Sequence, residues 1–257
     1  MNGVGLKVLG PLEAAVDGRR AELPKGGQRV LLAALALNAG QVVPLDQLLE
    51  HLWGDRLPDR PRGALYSCVS RLRQWLDRHS PGSAALLTTS SGGYVLDLGP
   101  GRLDLLSFRA LMREAAAAGE RGDLAAQSAR LREALALWRG PVLANVRSDA
   151  LQQTEVPRLT EEYLRAVEWR CEVGLALGEH DGMVGELRAL TDRYPFRERF
   201  WWQLMLALSR SGRRVEALAA YRKVSTQLRA EFGVDPDLEL RRLQMAILRD
   251  DHSVLSL

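Results

Sequence analysis

Residues 62–78 read RGALYSCVSRLRQWLDR, and the way this stretch divides into faces decides the fold. Leu65, Val69, Leu72 and Leu76 recur at i, i+4, i+7 and i+11, with Cys68 and Trp75 flanking them; this is the apolar side of an amphipathic helix. Ser67, Arg71, Gln74 and Arg78 recur at the same spacing on another side, with no apolar member. Such a stripe suits the major groove of DNA, where arginine can make two hydrogen bonds to guanine and glutamine can pair with adenine. Arg62 and Arg73 lie beside it, placed for phosphates, which set register without reading sequence. Between Arg56 and Arg78, six arginines stand against two aspartates, Asp59 and Asp77. That excess is the electrostatic footprint of a phosphate-binding surface, although a solvated charged face has the same composition.

The flanks supply a frame for this helix. Upstream, residues 27–39 (GQRVLLAALALNA) are apolar and helix-forming, and Gly40 stops them. QVVP follows as a short extended piece, and a second helix runs from Leu45 to Trp53. Asp55 to Pro61, with two prolines, forms the loop before the third helix. At the start, LKVLG, LEAAVDG and RAELP read as short strands, with Asp17-Gly18 as a hairpin turn. Downstream, residues 86–98 (LLTTSSGGYVLDL) read as two strands around a Ser-Gly turn. Thr88, Thr89, Ser90 and Ser91 put hydroxyls near its tip, where a wing would touch the DNA backbone or minor groove; an ordinary surface hairpin uses the same residues. Tyr94 and Leu96 are expected to pack this hairpin onto the third helix.

From Asp104 the pattern is helix alone, with periodic segments at 107–118, 124–138, 155–177, 183–194, 200–209, 215–232 and 238–248. Gly122, Gly178 and Gly212 each precede a helix, and Gly178 and Gly212 are 34 residues apart, the period of a tetratricopeptide repeat. Pro195 and Pro236 fall at helix starts. Trp138, Trp169, Trp201, Trp202 and Tyr221 recur at helical spacing, as core residues do. The expected fold is mainly α: a winged helix-turn-helix of α+β type over residues 1–100, then an all-α tetratricopeptide-like domain over 104–257.

Composition bounds the function. Apolar residues make up 46% and charged residues 26%, the balance of a folded globular chain. No apolar run is long enough to span a membrane, and the opening MNGVGLKVLG is not a signal peptide, so a cytoplasmic, nucleoid-associated protein is expected. Cys68 and Cys171 are too far apart for a zinc motif, and His51, His79, His180 and His252 are scattered, so no metal or cofactor is expected. The chain holds no G-x-x-x-x-G-K-[ST] loop and no G-x-S-x-G elbow, which argues against an enzyme. A protein-interaction scaffold built on the helical repeats is the competing reading, because such arrays expose binding grooves.

The chain resembles the SARP family of actinomycete antibiotic-pathway regulators. The resemblance is carried by LGPLEAAVDGR, LLAALALNAGQVVPLDQL, LWGD, VSRLRQWL and GGYVLDL in the first half. In the second half it is carried by ALALWRGPVL, RLTEEYLRAVEWR, LMLALSRSGRRVEALAAYRKV and EFGVDPDLELRRL, which look like the family's bacterial transcriptional activation domain. The resemblance implies an OmpR-type winged helix that binds direct repeats of double-stranded DNA at promoters, as a dimer or as side-by-side protomers. It also implies recruitment of RNA polymerase holoenzyme, through its sigma factor and core subunits, to antibiotic genes. On the same ground Arg71 matches the base-reading arginine, Ser70 and Arg73 fall at backbone-contact positions, and Thr88 matches a wing threonine. Ser90 departs from the arginine common in such wings. A receiver domain ahead of the winged part, and with it control by a histidine kinase, is not expected, and the chain is expected to be either a small family member or the N-terminal part of a large one.

Overall fold

The computed structural model describes residues 3–99 and 101–251, so His252 falls outside the described residues. Packing groups the chain into two units: one is the chain up to Glu114 together with Arg132–Leu164, and the other is Ala115–Leu131 together with the chain from Arg165 onward.

The first unit opens on an antiparallel sheet of β1 (Val4–Lys7), β2 (Glu13–Val16) and β3 (Arg19–Ala21), in that order. Asp17 and Gly18 have φ of 50° and 81°, the two left-handed residues that a type I′ hairpin turn requires. The helix α1 (Gly27–Leu37) is apolar on all sides, and every residue from Val30 to Leu37 is buried. A helix of that kind must be enclosed. Packed on it are α2 (Leu45–Trp53), α3 (Pro61–His79) and the last strand of a second sheet. That sheet holds β4 (Val43–Pro44), β5 (Leu87–Ser90) and β6 (Gly93–Leu96) in the order β4-β6-β5. A single 3-10 turn, Ser83–Leu86, links α3 to β5 and is not visible in the hydrophobic pattern. These elements form the expected winged helix-turn-helix.

Three helices follow: α4 (Asp104–Glu120), α5 (Leu124–Ala136) and α6 (Asp149–Ala176). The boundary between the two units falls inside each of them. Residues 132–164 staple the N-terminal sheet by polar contacts across long sequence separations. Asn145 accepts from the Leu12 N–H at 2.7 Å and donates back to the Leu12 carbonyl at 2.9 Å. The Arg139 N–H donates to the Leu9 carbonyl at 2.8 Å, and its guanidinium reaches Glu13 at 3.0 Å. The carboxylate of Asp104 accepts the N–H groups of Val8 at 2.7 Å and Leu9 at 3.0 Å.

Two expectations need correction. The helix α6 begins at Asp149, six residues before the expected start at Glu155, and continues through Pro157. Ser148 explains the start: its hydroxyl accepts the Leu151 N–H at 3.2 Å, a cap three residues upstream. Pro157 is exposed in the early turns of a 28-residue helix, so the long remainder carries it. Pro195 and Pro236 stand just outside their helices, whereas Pro61 occupies the first helical position of α3. The helix after Pro236 is capped by Asp237, which accepts from the Leu240 N–H at 2.7 Å.

The buried imidazole of His51 on α2, 4% exposed, gives the first unit a pH dependence. Its backbone carbonyl accepts the Ser148 hydroxyl at 2.6 Å. Burial lowers its pKa below the usual 6.5, against the opposing pull of Glu155 and Glu50. The native state therefore takes up the proton less readily than the unfolded chain. Its contribution is present above pH 6.5 and is lost as the pH falls below it. Denaturation midpoints should drop more steeply between about pH 7.5 and 5.5 in the natural protein than in a His51→Gln variant. Equal slopes would rule this out.

The second unit continues with α7 (His180–Arg193), α8 (Glu198–Arg210), α9 (Arg214–Phe232) and α10 (Leu238–Arg249). Gly178 and Gly212, at φ of 82° and 73°, make the same left-handed turn two residues before α7 and α9, which is the repeat seen in the sequence. The helix α8 packs on α7, α9 and α10 and buries Phe200, Trp201, Leu204 and Leu208. Arg170–Glu186, Arg197–Glu168 and Arg199–Glu172 pair across neighbouring helices. Of the five aromatic residues expected in the core, Trp201 is fully buried and the other four are half-buried. Among the described residues, no helix is long and apolar enough to cross a membrane.

Candidate nucleic-acid interface

The two sides of α3 separate as the spacing requires. Leu65, Val69, Leu72, Trp75 and Leu76 are buried, while Arg62, Ser67, Ser70, Arg71, Gln74 and Arg78 are exposed. Among the described residues, no hydrogen bond or ion pair engages the side chains of Arg71, Gln74 or Arg78. Their donors are free for a ligand. The Ser67 hydroxyl donates to the Gly63 carbonyl at 3.0 Å, which leaves its oxygen as an acceptor.

Several contacts hold this helix in place. Trp75 donates through Nε1 to the Glu22 carbonyl at 3.0 Å, tying α3 to the segment that follows β3. Asp77, one of the two acids in the arginine-rich stretch, accepts the Gly82 N–H at 2.7 Å and fixes the turn leaving the helix. Cys68 is a half-buried free thiol; burial raises its pKa, against the opposing effect of Arg71.

The hairpin β5–β6 lies beside α3. Arg73, placed with the phosphate contacts by its spacing, is half-buried and spans the gap between helix and hairpin. Its Nε donates to the Leu87 carbonyl at 3.0 Å, and its Nη2 donates to the Thr89 hydroxyl at 3.0 Å. The guanidinium carbon also lies 5.9 Å from the centre of the Tyr94 ring. Tyr94 and Leu96 are buried, but β6 packs chiefly on α1 rather than on α3 as expected. Gly93 is required where it stands: a Cβ there would meet the Val43 carbonyl oxygen at 2.1 Å, so any side chain would push β4 off β6. Thr88 is exposed and Ser90 half-buried, on alternate positions of β5, while the Thr89 hydroxyl is engaged by Arg73.

The structure thus leaves Ser67, Arg71, Gln74 and Arg78 on one exposed side of α3, with Ser70 at its edge, Arg62 exposed farther round the helix, and Thr88 and Ser90 on the adjacent hairpin. Tyr66 was not in the sequence-derived set, yet it is 50% exposed on the same helix. The available signal is its register: one residue past Leu65, it is rotated about 100° from the apolar stripe.

Comparison with known proteins places this arrangement among regulators. Residues 103–248 match the model of the bacterial transcriptional activator domain, and residues 22–96 match that of the transcriptional regulatory protein, C terminal. Regulatory protein DnrI of Streptomyces peucetius is 39% identical over 254 residues, covering 97% of this chain and 93% of that protein. Regulatory protein AfsR of Streptomyces coelicolor is 42% identical over 251 residues, and there the chain spans only 25% of the relative's length. Among solved structures, Mycobacterium tuberculosis EmbR in complex with a low-affinity phosphopeptide superposes with a TM-score of 0.91 at 33% identity, covering 97% of this chain and 66% of that one. These relatives are transcriptional regulators.

Proposed function

Because the chain belongs to the SARP family of bacterial transcriptional regulators, we propose that it is a sequence-specific DNA-binding activator that recruits RNA polymerase holoenzyme to promoters, in antibiotic-pathway genes as for a family of this kind. Residues 1–100 serve as the DNA-binding domain and residues 104–257 as the activation domain. The protein works in the cytoplasm, at the nucleoid, and needs no cofactor.

One observation carries this reading: an exposed helix side whose arginine and glutamine donors are unengaged by the protein. In this role Arg71 and Gln74 read base edges, with Ser67 and Arg78 on the same stripe. Arg62, Ser70 and Arg73 act at the phosphate backbone, and Thr88 and Ser90 act from the wing. Arg73 also braces the wing through its bonds to Leu87 and Thr89. Protomers sit side by side on direct repeats about one helical turn apart, so that both face the same side of the duplex.

Selection of duplexes from a random library, followed by footprinting on the selected site, tests this directly. A protein-interaction scaffold would enrich no sequence. Binding should also weaken steeply with salt. With Arg62 and Arg73 each neutralising one phosphate, affinity falls about 12-fold per protomer between 50 and 200 mM salt. A salt-independent affinity would overturn the phosphate assignments.

A further inference from the structure

One aromatic side chain on the recognition helix is used neither by the core nor by the wing. Tyr66 is 50% exposed on α3, whose other large apolar residues are buried. Arg62, Tyr66 and Ser70 form an i, i+4, i+8 row that climbs round the helix between the buried side and the Ser67/Arg71/Gln74/Arg78 stripe.

Position and chemistry narrow what this ring can meet. It stands in the N-terminal half of α3, the part of a recognition helix that reaches base edges. In the major groove one base edge offers an apolar partner: thymine, through its C5 methyl. We propose that Tyr66 is a specificity-determining residue whose ring packs on the C5 methyl of one thymine in each bound repeat. The inference rests on the DNA-binding reading above. It adds a base preference that the arginine and glutamine contacts do not supply.

The probe is the duplex selected by the natural protein from a random library, with each thymine replaced singly by deoxyuridine, which removes only the methyl. The natural protein should lose about fourfold in affinity at one thymine, the factor matching roughly 0.8 kcal/mol for one buried carbon group. Tyr66→Phe keeps the ring and should keep this sensitivity. Tyr66→Ala should bind the thymine duplex more weakly and become indifferent to uracil at that position. The inference is overturned if the natural protein is indifferent at every thymine, if the selected site contains no thymine, or if Tyr66→Ala retains the sensitivity. Loss of sensitivity in Tyr66→Phe would assign the contact to the hydroxyl and overturn it as well. In any of these cases, continued base discrimination that depends on Arg71 leaves the DNA-binding reading standing. Failure to select any sequence removes both.

Discussion

Replacing Arg71 with alanine should weaken binding to the selected duplex by about 1–3 kcal/mol, or roughly 5- to 150-fold, and relax preference for the base that Arg71 faces. The size follows from the proposed bidentate contact to one base, by a side chain that is exposed and unengaged in the free protein. Nothing in the native structure is lost with it, so thermal stability should stay within about 0.5 kcal/mol of the natural protein. Titration of cognate and base-substituted duplexes reads both effects. An Arg71→Ala variant with undiminished affinity and discrimination would show that α3 is not the reading helix.

The second large effect concerns stability. Asp104→Ala should cost about 2–5 kcal/mol, because it leaves two buried backbone N–H groups without an acceptor and takes a carboxylate from beside Arg139. The Asp104 side chain is 6% exposed and lies 3.5 Å from Arg139. It also satisfies the N–H groups of Val8 and Leu9 at 2.7 and 3.0 Å, which would then be buried without an acceptor. Asp104→Asn keeps one acceptor and should fall between the two. Chemical denaturation of the full chain measures the difference, and a loss below about 1 kcal/mol would exclude this account. The same contacts bear on truncation. A chain cut at Asp104 loses Arg139 and Asn145 along with it, so the sheet β1–β3 is left without its polar staples.

Much of the interface was legible because α3 is amphipathic. A period of 3.6 residues assigns Leu65, Val69, Leu72 and Leu76 to one side, and the residues opposite them are exposed by default. The Asp17-Gly18 turn was legible for a local reason too, since left-handed backbone favours those residue types. Arg73 shows where such reading stops. Its spacing groups it with the polar residues of α3, but its bonds to Leu87 and Thr89 depend on how closely the hairpin approaches the helix. Tyr66 was missed because tyrosine fits a half-buried helix edge as well as a ligand contact, and only its exposure in the folded chain separates the two.

By itself, the amino-acid order determined the kinds of element, their sequence along the chain, and the charged edge of one helix. These follow from dihedral preference and periodicity, which act over a few residues. Tertiary structure alone decided that residues 132–164 belong with the N-terminal sheet. The contacts responsible join Asn145 to Leu12 and Ser148 to His51, across separations of 133 and 97 residues. No local pattern encodes such a pairing, because whether a polar side chain finds a buried backbone partner depends on the packing of everything between them.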